Sequence, residues 1–163
     1  MELTITADLS SVQKLLDKYP DISATVQREK VTEAALLLER AIKLLTPEGA
    51  GPIHLRDTIF HKIEQRGVSV RGLISTPASY GESVEMGTRP HFPPVAPIRF
   101  WVEKKLRLAG AEAKSVAFLI ARAISKRGTK GAKMFQQGVE KNEAAVMAIL
   151  NRIPEEIIRR IAR

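Results

Sequence analysis

The chain has 163 residues, 44% apolar and 27% charged, which is the composition of an ordinary globular protein long enough for one core to bury about 70% of the unfolded surface. It contains no cysteine, which excludes disulfide scaffolds, thiol nucleophiles and Cys-type zinc sites. Its apolar runs fall far short of the ~18 residues of a membrane-crossing helix, so no membrane partner is expected. The net charge of +8 is unevenly placed: through Pro97, 11 Lys/Arg face 12 Asp/Glu, and from Ile98 onward 15 face 6.

The start, Glu2-Leu3-Thr4-Ile5-Thr6, is acidic and alternating and does not read as a secretory leader. Ser10-Ser11-Val12-Gln13 has the form of a capping box and predicts a short helix to about Lys18, which Tyr19-Pro20-Asp21 interrupts. From about Ile22 the apolar positions Val31, Ala34, Ala35, Leu38, Ala41, Ile42 and Leu45 recur at spacings of three and four. They predict one long helix, ended by Thr46-Pro47-Glu48-Gly49. After a loop with Gly49, Gly51 and Pro52, Thr58 to Glu64 and Val68 to Ser75 predict an antiparallel hairpin turning at Gln65-Arg66-Gly67. Val68, Val70, Gly72 and Ile74 share one face of its second strand.

Four prolines between Arg89 and Pro97 predict a stiff extended strip. Beyond it, Ile98 to Leu108 predicts a helix carrying the only Trp. Ala113 to Ser125 predicts another with Val116, Ala117, Ile120, Ala123 and Ile124 on one side. A basic loop, Lys126 to Gly131, leads to a helix from Phe135 to Leu150 whose first turn Gly138 weakens. Pro154 opens a last helix in which Ile157, Ile158 and Ile161 oppose Arg159, Arg160 and Arg163. The expectation is one α+β domain over residues 1–163. Its long N-terminal helix packs on a small antiparallel sheet, residues 1–20 hold a preceding helical segment, and a helical basic C-terminal half ends in a short basic helix over 151–163.

Catalytic chemistry finds little purchase. His54 and His61 have no nearby acid completing a zinc pattern, Lys130-Gly131 lacks the order of a phosphate loop, and Glu82/Glu85 and Glu155/Glu156 fit helix-surface or capping roles. No catalytic, cofactor-binding or metal-binding residue is assigned. The stretch Tyr80 to Pro90 is more informative. Val84 turns inward, Gly87 closes a helical turn in the left-handed region and Pro90 stops it, which leaves Glu85 beside the core with Arg56 as its expected partner. The C-terminal basic surplus suits phosphate backbones or an acidic protein surface, and equally a solvated face.

Thr46-Pro47, Gly51, Leu55-Arg56-Asp57-Thr58-Ile59, and Tyr80 through Val84-Glu85-Met86-Gly87-Thr88 with the strip Pro90 to Pro97 together resemble the small neck, tail-completion and minor tail proteins of long-tailed phages. The family's basic glycine loop before a Pro-Phe pair has its counterpart in Lys126-Arg127-Gly128-Thr129-Lys130-Gly131-Ala132-Lys133-Met134-Phe135. Here Met134 replaces the proline, Met86 stands where an aromatic is frequent, and the loop from Glu48 to His54 is longer than usual. The resemblance implies a non-enzymatic ring of identical copies in the virion, assembled in the host cytoplasm. Its partners would be head-closure or connector proteins, tail-terminator or tail-tube proteins, and the double-stranded DNA that passes through.

A ring subunit needs two different surfaces for its neighbours, and the hairpin edge and the proline strip are the candidates. Lys126, Arg127, Lys130, Lys133, Arg159, Arg160 and Arg163 are candidates for facing DNA or an acidic neighbouring ring. Arg56, Glu85, Gly87, Thr88 and Pro90 form the structural motif. Two other readings remain open. One is a free basic nucleic-acid-binding module, which has few stacking aromatics beyond Phe118 and Phe135. The other is a toxin or hydrolase with a dispersed site.

Overall fold

The computed structural model describes residues 2–6, 19–49, 54–67 and 69–162. The expected helix from Ser10 to Lys18, the Gly51-Pro52 part of the loop, Val68 and Arg163 lie outside the described residues. The elements in chain order are β1 (Glu2–Thr6), α1 (Pro20–Leu45), α2 (Leu55–Thr58), β2 (Phe60–Arg66), β3 (Ser69–Ser75), α3 (Gly81–Met86), β4 (Gly87–Thr88), α4 (Val95–Lys105), α5 (Gly110–Arg127), β5 (Thr129–Lys130), α6 (Met134–Leu150) and α7 (Ile153–Ile161). They form two compact units. The first comprises Met1–Leu44, Ile59–Thr76 and Phe135–Arg163, and the second Leu45–Thr58 and Pro77–Met134.

In the first unit α1 runs for 26 residues, about 39 Å at 1.5 Å per residue. It begins at Pro20 rather than Ile22, because a proline in the first turn gives up no intrahelical donor, and Asp21 beside it complements the helix dipole. Its buried residues, Ser23, Val26, Gln27, Val31, Ala34, Ala35, Leu38 and Ile42, follow the expected stripe and extend it by two turns. The sheet is antiparallel with strand order β1-β3-β2. The hairpin forms as expected, Arg66 opposite Ser69 across Gly67, while β1 adds a third strand that pairs Leu3 with Ile74. One edge of the expected hairpin is therefore already filled by this chain's own first strand.

The helix packs on the sheet at Gly72, where a Cβ would lie 3.1 Å from Val31 Cγ1 and 3.5 Å from Ala35 Cβ. Val70, Gly72 and Ile74 are buried on one face of β3, and Leu73 is buried too, since β3 is the central strand. On α6, Gly138 lies against Ile42, and a Cβ there would meet Ile42 Cγ1 at 2.6 Å. The glycine that weakens α6 as a helix is what lets α6 approach α1. In α7 the buried residues are Ile153 and Ile157, four apart, whereas Ile158 is 53% exposed, contrary to the expected apolar side.

In the second unit Leu55–Thr58 is a helical turn, so Thr58 ends a turn instead of starting the strand, which begins at Phe60. Asp57 N donates to His54 O and Thr58 Oγ1 to Leu55 O, closing the turn locally. The proline strip is extended only to Pro94. Val95 to Pro97 open α4, where a proline in the first turn costs no hydrogen bond. The hairpin of α4 and α5 buries Val102, Ala113 and Ala117, flanked by Val95, Ile98, Leu108, Val116 and Ile120. The centre of the buried face of α5 is the seam Ala113, Ala117, Ala121, one residue type small enough for close helix approach; of the expected residues Ala117 lies in it, Val116, Ile120 and Ile124 flank it, and Ala123 falls on the outer side with Arg122 and Lys126.

Candidate functional site

The two stretches singled out in the sequence, Glu85 to Thr88 and the basic glycine loop, meet in the second unit. Helix α3 buries Glu85, 1% exposed, and Gly87 then turns with φ 80° and ψ −178°. Its φ is positive as expected, but ψ is extended, so the chain leaves α3 directly into β4 instead of curling into a left-handed cap. Strand β4 pairs antiparallel with β5, Gly87 opposite Lys130 and Thr88 opposite Thr129. The two threonine hydroxyls are 2.9 Å apart, Thr88 N donates to Thr129 Oγ1 at 3.0 Å, and Thr129 N donates to Thr88 Oγ1 at 3.2 Å. Below this pair Ala132 N donates to Val84 O at 2.8 Å and Lys133 N to Glu85 O at 3.0 Å.

Three glycines make the junction possible. A Cβ on Gly87 would strike Thr129 O, one on Gly128 would strike Thr88 O, and one on Gly131 would strike Glu85 O and Met86. These are backbone-to-backbone contacts that no rotamer change relieves, and Gly87 and Gly128 also have positive φ. Lys133 closes the loop at φ 52°, a left-handed conformation unusual for a lysine. Pro90 follows β4 in the exposed strip, where His91 Nδ1 is 2.9 Å from Arg89 O and Phe92 leans on Phe118 of α5 with ring centroids 6.1 Å apart.

Arg56 corrects the expectation. It places Nη2 3.1 Å from Glu48 Oε1, not on Glu85, because the α2 turn returns it to the end of the preceding loop. Lys105 Nζ reaches the other Glu48 oxygen at 2.6 Å. The hydrogen bonds from Lys105 and Arg56 hold the Glu48 carboxyl below its ordinary range.

The seven candidate cations divide between the units. In the second, Lys126, Arg127, Lys130 and Lys133 are exposed, and among the described residues none of them pairs with a carboxylate. In the first, the arginines of α7 are engaged. Arg160 grips Glu29 through both terminal nitrogens, at 2.6 and 3.2 Å, and Glu156 through Nε at 3.1 Å. Arg159 Nη2 lies 2.5 Å from the second Glu156 oxygen. The Glu29 hydrogen bonds raise Arg160 above its ordinary pKa, and the Arg159 hydrogen bond lowers Glu156. Arg163 lies outside the described residues.

His61, which completes no zinc pattern in the sequence, is half-buried with Nδ1 2.5 Å from Glu39 Oε2, and Lys43 Nζ sits 2.5 Å from Glu39 Oε1. No sequence signal pointed to this cluster, whose members lie 22 residues apart on α1 and β2. Among the described residues, no group of His, Cys, Asp or Glu is arranged to hold a metal ion, and no helix is long and apolar enough to cross a membrane. Comparison with protein-family models, curated proteins and solved structures finds no match for this chain.

Proposed function

We propose that this chain is a structural component of a tailed-phage or prophage particle, a neck or tail-completion protein whose copies close into a ring around the DNA path where head meets tail. The observation that carries the reading is the glycine junction. The segments most particular to the resemblance, Glu85 to Thr88 and Lys126 to Lys133, lie 41 residues apart and still pair strand to strand, with three glycines at contacts that admit no side chain. A shared motif that packs into one built feature is better support than two motifs scattered over a surface. The exposed apolar side chains of the same unit, Phe92, Phe100, Trp101 and Phe118, supply surface that a ring neighbour would cover. Since β3 is internal, the sheet offers its outer strands β2 and β1 as edges for pairing between chains.

The test is genetic and structural together. Loss of the chain leaves filled heads and tails that fail to join, and mass spectrometry finds the chain in purified tailed particles. Normal joining without it, or its absence from those particles, overturns the reading. The unpaired cations of the second unit favour one other function, a free nucleic-acid-binding module, which predicts DNA binding without incorporation into particles.

A further inference from the structure

We propose that the outer face of α5 and the loop after it, centred on Arg122, Lys126, Arg127 and Lys130, is a contact surface for the phosphate backbone of duplex DNA, and that the arginines of α7 are not. The proposal deepens the ring reading, which brings duplex DNA past the chain, and it rests on that reading for its setting.

The first reason is charge. From Ala113 to Val139 the chain carries Lys114, Arg122, Lys126, Arg127, Lys130 and Lys133 and no acidic residue. Four other cations of this unit are taken, Arg56 and Lys105 by Glu48, Arg99 by Glu103 at 2.7 Å, and Lys104 by the Phe100 ring, 4.8 Å from its centroid, whereas Arg89 and Arg107 are exposed but lie outside this run. Among the described residues the six between Ala113 and Val139 have no such partner. Unpaired, exposed cations are available to neutralise phosphates and so release the counterions condensed on the duplex, the source of salt-dependent affinity.

Placement is the second reason. At about 100° per residue, Arg122 and Lys126 fall on the side of α5 opposite the buried seam Ala113, Ala117, Ala121. Arg122, Lys126 and Arg127 line one shallow depression together with Leu119 and Ala123. One helical turn separates Arg122 from Lys126, about 6 Å along the axis, and Lys130 follows on the strand that the glycine junction fixes. The backbone positions of these charges are therefore held on regular elements, while their long side chains still lose rotamer freedom on contact. A protein interface buries a core depleted of charge around apolar anchors; Phe118 and Leu119 are exposed on this side of α5 as well, but no carboxylate interrupts its cations, and a run of one sign matches a uniform line of the other. Duplex DNA supplies one negative charge per about 1.7 Å of axis.

The arginines of α7 fail on the same criteria, since Arg160 is bound to Glu29 and Glu156, and Arg159 to Glu156. Turning them to phosphate would mean giving up those ion pairs and setting the Glu29 and Glu156 carboxylates beside it.

The experiment measures fluorescence anisotropy of a labelled 30-base-pair duplex of mixed sequence with the full chain, between 50 and 200 mM NaCl. The variant Arg122→Gln/Lys126→Gln/Arg127→Gln/Lys130→Gln is expected to flatten the slope of log affinity against log salt by about 0.9 per phosphate contact, about 3 to 4 in all. Lys126→Arg/Arg127→Lys, which keeps the charge, and Arg159→Gln/Arg160→Gln are expected to keep the parental slope. A parent that does not bind the duplex at 50 mM salt overturns the proposal, as does a quadruple variant with the parental slope. If that variant binds DNA normally but is lost from particles, the face belongs to an acidic protein neighbour and the proposal fails. Particle incorporation of the parent is scored separately. DNA binding with no incorporation overturns the ring reading and supports this proposal alone.

Discussion

Lys133 carries a conformational cost that its neighbours underwrite. A non-glycine residue at φ 52° lies about 1–2 kcal/mol above its right-handed alternative, and here the hydrogen bond from its amide to Glu85 O holds it in place. Lys133→Gly is expected to stabilise the chain by about 1 kcal/mol in urea unfolding, while Lys133→Ala, which keeps the strain, brings no comparable gain. Glu39 is a second residue whose surroundings set its behaviour. Burial alone pushes its carboxyl upward, but the hydrogen bonds to Lys43 and His61 and their charge outweigh burial and hold it below the ordinary value of 4.5. A carboxyl lowered by folding contributes stability that is complete above the unfolded pKa and lost as pH falls through the folded one. Unfolding free energy measured from pH 6 to pH 3 is therefore expected to fall less steeply in Glu39→Gln than in the parent. An identical slope would show that the cluster does not couple to folding.

At the scale of elements, packing has the last word over propensity. Gly138→Ala improves α6 as a helix by about 1 kcal/mol. It also sets a methyl 2.6 Å from Ile42 Cγ1, and overpacking of that kind costs about 1–3 kcal/mol. A net loss of stability on urea titration is expected, and a gain would mean that α6 moves away from α1 at no cost. Gly128→Ala meets both a positive φ and a backbone carbonyl, so a loss of about 2 kcal/mol or more is expected. Hydrogen exchange at Thr88 and Thr129 should then rise first. The long helix, the hairpin and the C-terminal helices were legible because apolar side chains at spacings of three, four or two state which face is buried. The centre of the α5 face was not legible. Periodicity locates a wide stripe, and only the neighbouring α4 selects the alanines as its axis. The register of β1 was hidden for a related reason, since an alternating pentapeptide shows neither its partner nor its distance.

For the molecule as a whole, charge proved readable as an amount but not as an arrangement. The surplus after Ile98 was plain from counting, yet whether a given arginine is available depends on partners such as Glu29, which lies 131 residues from Arg160. That separation, together with Glu156 inside α7 itself, is why α7 and the loop after α5, both part of the same basic surplus, differ in what they can offer a ligand. Light scattering of the purified chain at increasing concentration is expected to give masses that are multiples of 18.0 kDa if copies self-assemble through the exposed side chains of the second unit. Trp101→Ala/Phe100→Ala is then expected to shift the distribution toward the single chain.

The interleaving of the two units along the polypeptide imposes a timetable on synthesis. The second unit has all its residues once Met134 has left the ribosome, whereas the first still waits for Phe135 onward to seat Gly138 against Ile42. Until α6 arrives, that part of α1 stands uncovered. A polypeptide cut short after the basic loop would thus hold every residue of the second unit but leave the apolar stripe of α1 at Ile42 uncovered.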